Sequence, residues 1–248
     1  MKTLKIGFIL SLLATCLSTA FAAEIQTPLV VWDVNFNDQT IDAIPHGMSN
    51  DQLDAFNRKD DLSWIPLKTY NQMAYVTRTR QAKIVQEAAG LKDKPMLFTH
   101  TELNQPHYGP QVLFNVPWDL AVKAKKWHLT LDVSKGSVEK SDGVTLWDVA
   151  GIKFHEDGTV RVNGTEISRY ASGKPLHMDF LISVPEKTVT VMFDGDTKKT
   201  LTLPWYQPNA AVFLNLRLDG VLPGGYCFPS SIAFDNIKLT LEELNLSK

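Results

Sequence analysis

The chain of 248 residues carries 25 Lys and Arg against 27 Asp and Glu, a formal net charge of −2. With no basic excess, nothing in the composition points to a nucleic-acid backbone or an anionic membrane as partner. Two cysteines and no long apolar run beyond the N-terminus exclude a disulfide-rich scaffold and a chain with helical membrane spans.

The chain opens MKTLKIGFILSLLATCLSTAFAAEIQ. Lys2 and Lys5 precede an apolar stretch from Ile6 to Leu17, which is of signal-peptide length and too short to span a bilayer comfortably. Ala20-Phe21-Ala22 supplies small residues where a signal peptidase reads. The layout predicts a signal peptide over residues 1–22 and an exported, periplasmic or extracellular, mature chain over residues 23–248. A lipoprotein reading would acylate Cys16 in "LATC", but Thr15 is a poor residue just before such a cysteine. Cleavage leaves Cys227, in "GGYCFP", without a disulfide partner, and it reads as a small buried hydrophobe.

From Val30 onward the dominant signal is period two, the spacing of a strand with one face buried. Val30, Trp32, Val34 and Phe36 share one face of a first strand, and Asp33, Asn35 and Asn37 the other. Ser49 with Gln52 forms a capping box for one short helix through Phe56. Further strands follow at Trp127, Leu129, Leu131 and Val133, at Leu176, Met178, Phe180 and Ile182, and at Val212, Leu214, Leu216 and Leu218. Asp157-Gly158, Asn163-Gly164 and Asp194-Gly195 mark hairpins, because a two-residue type I′ turn needs positive φ at both centres. In the last segment, "SIAFDNIKLTL", Ile232 and Phe234 are even-numbered but Ile237, Leu239 and Leu241 are odd. That slip of phase requires a bulge or bend at Asp235-Asn236. Many short strands, frequent turns and no linker predict one domain: an all-β, two-sheet antiparallel sandwich of jelly-roll type with few short helices.

"VVWDVNFNDQTID" near the mature start, "HEDGTVRVNG" and "MDFLISVPEKTVTVMFDG" in the middle, and "IAFDNIKLTL" near the end resemble the opening strand, central meander and closing strand of concanavalin A-like lectin/glucanase domains. The resemblance spans most of the mature chain. In laminarinase-type members the closing-strand Asp often binds a structural calcium beside the first strand. The resemblance therefore implies calcium at Asp235, joined by Asp33 or Asn35. The alternative is that Asp235 caps its bulge by accepting backbone N–H groups. The same enzymes carry catalysis on a Glu-x-Asp-x-x-Glu strand. No Glu in this chain has Asp two residues on, so glucanase chemistry of that type is not expected. The alginate-lyase branch uses Arg, Gln, His and Tyr across its concave sheet. "YVTRTR" and "QVLF" echo it, but its Tyr-rich late strand is absent.

No motif for an organic cofactor, nucleotide or serine nucleophile occurs. The densest polar cluster is "FTHTELNQPHYGPQ". His100, Glu102, His107 and Tyr108 there are suited to general acid–base work or to hydrogen-bonding a sugar; a polar strand end and a solvated loop is the plainer reading. Arg78, with Arg80, can fork onto an acidic sugar's carboxylate, or can be an ordinary surface arginine. Trp32 and Trp127 fall in phase with core residues, whereas Trp64, Trp118, Trp147 and Trp205 lie near loops and remain candidates for sugar stacking. Arg217 and Asn215 alternate with the aliphatic side of "VFLNLRL". The expectation is an exported, non-hydrolytic carbohydrate-binding protein with a polysaccharide or glycan partner, using Arg78, His100, Glu102, Tyr108 and Arg217. The alternatives are a lyase or hydrolase built on the His/Glu/Tyr/Arg residues, and a structural or protein-interaction domain of the envelope.

Overall fold

The computed structural model describes residues 27–43, 45, 65–67, 74–77, 82–100, 111–115, 120, 123–136, 142–146, 150–155, 157–202, 213–217 and 230–244. Their strands, in chain order, are β1 Leu29–Val34, β2 Ile65–Leu67, β3 Ala74–Thr77, β4 Ala82–Ile84, β5 Met96–His100, β6 Gln111–Asn115, β7 Ala124–Lys135, β8 Asp142–Leu146, β9 Ala150–Phe154, β10 Thr159–Val162, β11 Thr165–Arg169, β12 Leu176–Ser183, β13 Thr188–Phe193, β14 Asp196–Thr202, β15 Phe213–Arg217 and β16 Ser230–Leu244. Every strand pairing among them is antiparallel. The expected signal peptide and the short helix from Ser49 lie outside the described residues.

The strands form two eight-stranded sheets. The first runs β14-β13-β12-β7-β16-β5-β4, with β1 also on β16, and the second runs β11-β10-β9-β8-β15-β6-β3-β2. Alternation explains the layering. In β12, Met178, Phe180 and Ile182 are buried and Leu181 between them is 41% exposed. In β7, Trp127, Leu129, Leu131 and Val133 turn inward in the same way. Both sheets feed one core, in which Trp32 of β1 meets Phe114 of β6 across the sandwich, ring centroids 5.5 Å apart. Each such large side chain taken fully out of water contributes about 1.5–3 kcal/mol. The all-β sandwich read from the sequence is thus the architecture observed.

Two details depart from expectation. Val30 is 48% exposed, while Val31 is buried. A register shift between Val30 and Trp32 breaks the alternation there, since one extra residue flips every facing before it. At the second, Asn163-Gly164 and Asp194-Gly195 do have positive φ at both residues, but at Asp157-Gly158 only Gly158 does. That hairpin is a longer loop closed by a side chain: Thr159 N and Oγ1 both donate to Asp157 Oδ1, at 2.9 and 2.5 Å. Those two bonds, the hydroxyl's first, hold the Asp157 carboxyl below its usual range.

Candidate functional site

The closing strand is the spine of the first sheet. β16 pairs with β7 along nearly its whole length, and on its other edge with β5 and then β1. Between Asp235, opposite Asp132, and Lys238, opposite Thr130, β16 spends one residue more than β7. Asn236 takes up the excess with φ +49°, a left-handed conformation that Asn tolerates better than most residues. Asp235 is 2% exposed, and its Oδ1 accepts the Asn236 N–H at 2.8 Å. Asn236 in turn donates from Nδ2 to Asp132 Oδ2 at 2.6 Å. Burial, chiefly, pushes the Asp235 carboxyl up to about 7; the Asn236 N–H opposes this, and the charges of Asp132 and Asp93 add to it.

Asp33 lies on the exposed side of β1 and pairs with Lys238 at 3.2 Å. The carboxylates whose charge acts on Asp235 are Asp132 and Asp93. The backbone oxygens that follow β1 also have an occupant: Lys94 Nζ donates to Asn37 O at 2.8 Å and Gln39 O at 3.1 Å. Among the described residues no group of three or more His, Cys, Asp or Glu is arranged to hold a metal ion. Asp235 accepts the Asn236 N–H of its own bulge.

Outward from this bulge runs a chain of side chains that the sequence pattern did not single out. His177 Nδ1 lies 2.6 Å from Asp132 Oδ1 and His177 Nε2 3.5 Å from Asp179 Oδ2, while His128 Nε2 lies 2.8 Å from Asp179 Oδ1. Asp132–His177–Asp179–His128 therefore laces β7 to β12 on the outer face of the first sheet. The signal available was His-x-Asp at 177 and 179, on the positions between the core residues of β12.

The second sheet presents a different outer face. Arg217 of β15 stands opposite Gln111 of β6 and Gly143 of β8. Gln111 stands opposite Thr77 of β3, Gly143 opposite Lys153 of β9, and Lys153 opposite Arg161 of β10. These positions alternate with buried Val112, Leu216, Ile152, Phe154, Val160 and Val162, so the row belongs to the face turned from the core. A neighbouring row holds Tyr75, Leu113, Asn215, Thr145 and Gly151. Lys153 is exposed. Arg161 is tied by its Nη2 to Asp157 Oδ2 at 2.9 Å.

Of the site residues expected from sequence, Arg217 falls in that row. Arg78, which follows Thr77, lies outside the described residues, as do Glu102, His107 and Tyr108. His100 ends β5 in the first sheet, opposite Ser230, and so is in a different sheet from Arg217. Trp32 and Trp127 are core residues, each 1% exposed; Trp64, Trp118, Trp147 and Trp205 lie outside the described residues.

The sandwich belongs to a class of β-folds that occurs in carbohydrate-active proteins. No protein-family model matches the chain, and no curated protein matches it significantly. Among solved structures it is similar to a mutant of alginate lyase Aly36B in complex with alginate trisaccharide, with 12% identity and TM-score 0.51, covering 86% of this chain and 98% of that one. It is also similar to the catalytic domain of a glycoside hydrolase family 131 protein from Coprinopsis cinerea, with 10% identity and TM-score 0.51, covering 85% and 93%. A sialidase matches at 17% identity and TM-score 0.47; 74% of this chain is covered but only 18% of the sialidase. At these identities the likeness to the lyase and to the hydrolase domain is one of fold.

Proposed function

We propose that this is an exported, non-hydrolytic carbohydrate-binding protein of concanavalin A-like fold whose glycan lies across the outer face of the second sheet. The observation that carries the reading is the pair of rows there. Residues of hydrogen-bonding type, Gln111, Asn215, Thr145 and Thr77, share these rows with the aromatic Tyr75 and with Gly143 and Gly151. Sugar recognition needs that mixture of planar polar groups and apolar faces. The similarity of fold to an alginate lyase and to a glycoside hydrolase domain supports it. The sequence has no Glu-x-Asp-x-x-Glu strand, so hydrolysis of the laminarinase type is not part of this reading.

The test is a glycan array with the chain from Ala23, followed by incubation with each bound polysaccharide while reducing ends and the absorbance of unsaturated products are measured. Binding without product is expected. Product release would establish an enzyme instead, and an empty array would leave the envelope structural domain as the reading. Intact mass of exported protein checks the processing: a chain beginning at Ala23 is expected, and retention of residues 1–22 or a lipid on Cys16 would refute it.

A further inference from the structure

We infer that Asn163 is a site of self-modification: in the folded protein its side-chain amide loses ammonia through a cyclic imide with Gly164, and the Gly151 N–H steers the ring to reopen as aspartate. Asn163-Gly164 is the one Asn-Gly step in the chain. It forms the turn between β10 and β11, with both residues exposed and φ at +48° and +80°. β11 is the end strand of its sheet, and a Cβ built on Gly164 would meet nothing within 4 Å. The peptide joining the two residues therefore has room to rotate, and no side chain on Gly164 shields its nitrogen.

The Asn163 side chain is held at one end only. The Asn163 N–H donates to Gly151 O at 2.8 Å, and Asn163 Oδ1 accepts the Gly151 N–H at 2.9 Å. A backbone N–H can only donate, which sets Oδ1 rather than Nδ2 against Gly151. Nδ2 makes no hydrogen bond among the described residues. When the Gly164 nitrogen attacks Asn163 Cγ, negative charge gathers on Oδ1, where a donor already stands. The N–Cγ bond forms and the Cγ–Nδ2 bond breaks. The proton from the Gly164 nitrogen ends on the departing ammonia. Water then opens the imide at one of its two carbonyls and returns a proton to the Gly164 nitrogen. Attack at Cγ leaves aspartate in an unaltered backbone. Attack at the main-chain carbonyl leaves isoaspartate and routes the chain through the side-chain carbon. The Gly151 donor polarises the Cγ carbonyl, so the first outcome is favoured. Aspartate keeps the acceptor for Gly151 and adds one negative charge; isoaspartate lengthens the turn by one atom and loses that contact.

The experiment ages the chain from Ala23 in mildly alkaline buffer, folded and in urea. Released ammonia is measured, and peptide mapping with enzymatic methylation of isoaspartate gives the product at position 163. The folded chain should lose ammonia there at a rate no less than about a tenth of that in urea, and should yield mostly aspartate where the unfolded chain yields more isoaspartate. Asn163→Asp, which mimics the favoured product, should melt with the wild type and show no further change in that peptide. A folded chain that keeps its amide while the unfolded one loses it would overturn the inference. So would an isoaspartate share in the folded chain equal to or above that in urea, or a clearly lower melting temperature for Asn163→Asp. None of these outcomes depends on a glycan.

Discussion

At Asp235 the chain places a carboxyl where water does not reach and gives it one backbone N–H and two neighbouring carboxylates. The consequence is a stability that depends on pH in an unusual direction. In the unfolded chain this group ionises at its ordinary 3.8, and in the folded one at about 7. Between those values the folded protein holds a proton that the unfolded chain has lost, so stability falls as pH rises from about 4 to about 7 and is flat above. The slope from this group is at most about 1.4 kcal/mol per pH unit. Asp235→Asn carries no such proton. Its denaturation midpoint should therefore drop less across that window than that of the wild type and exceed it above about pH 7; parallel curves would refute the assignment. The same variant addresses calcium. Lys94 already satisfies the Asn37 and Gln39 carbonyls, and the Asn236 N–H already satisfies Asp235 Oδ1. Calcium and a chelator should therefore give the same melting temperature. A calcium-dependent rise that Asp235→Asn abolishes would instead establish the ion.

At the scale of elements, the β7–β16 pair is the structural centre, and two changes probe it. Phe234 is fully buried and meets Phe98 with ring centroids 5.3 Å apart; truncation to Ala should cost about 3–5 kcal/mol, read as a lowered urea midpoint. Over the outer side of the same pair, residues 85–95 fold back, anchored where Ser134 Oγ donates to Ala89 O at 2.5 Å. Gly90 in that segment has φ +89°, and a Cβ there would stand 2.6 Å from Gly173 O and 2.9 Å from Pro175 Cδ. Gly90→Ala should lower stability by roughly 1–3 kcal/mol or more, whereas an alanine at an ordinary surface position would not. Much of this framework was legible. The parity of Ile232, Phe234, Ile237 and Leu239 demanded the Asp235-Asn236 bulge, and period two located β7, β12 and β16. What escaped was anything set by register between distant strands. His177 and Asp132 are 45 residues apart, and His128 and Asp179 51; nothing local aligns them. The inward turn of Val31 escaped for a related reason, since Val30 and Val31 are equally apolar and only the pairing with β16 decides between them.

For the molecule as a whole, the two sheets share one core but turn unlike faces to solvent, and the functional reading commits to one of them. The first sheet shows the histidine–aspartate chain, Thr190 hydrogen-bonded to Thr200, and an exposed Leu181. The second shows an exposed Lys153 and, two residues before it, Gly151. Blocking each face in turn separates them. A Cβ on Gly151 would have Asn163 Oδ1 at 3.7 Å as its nearest neighbour, an ordinary contact, so Gly151→Ala should fold normally and retain binding. Gly151→Phe should also fold, because the added ring projects from the outer face, but it should stand in the way of the glycan and reduce affinity about tenfold or more, a loss of at least 1.4 kcal/mol. Leu181→Lys makes a comparable change on the opposite sheet and should leave affinity unchanged. The measurement is calorimetric titration of all three variants against the best ligand from the array, with thermal melts to show that each is folded. Loss of binding in Leu181→Lys with retention in Gly151→Phe would move the site to the first sheet, where the Asp132–His177–Asp179–His128 chain would become its centre.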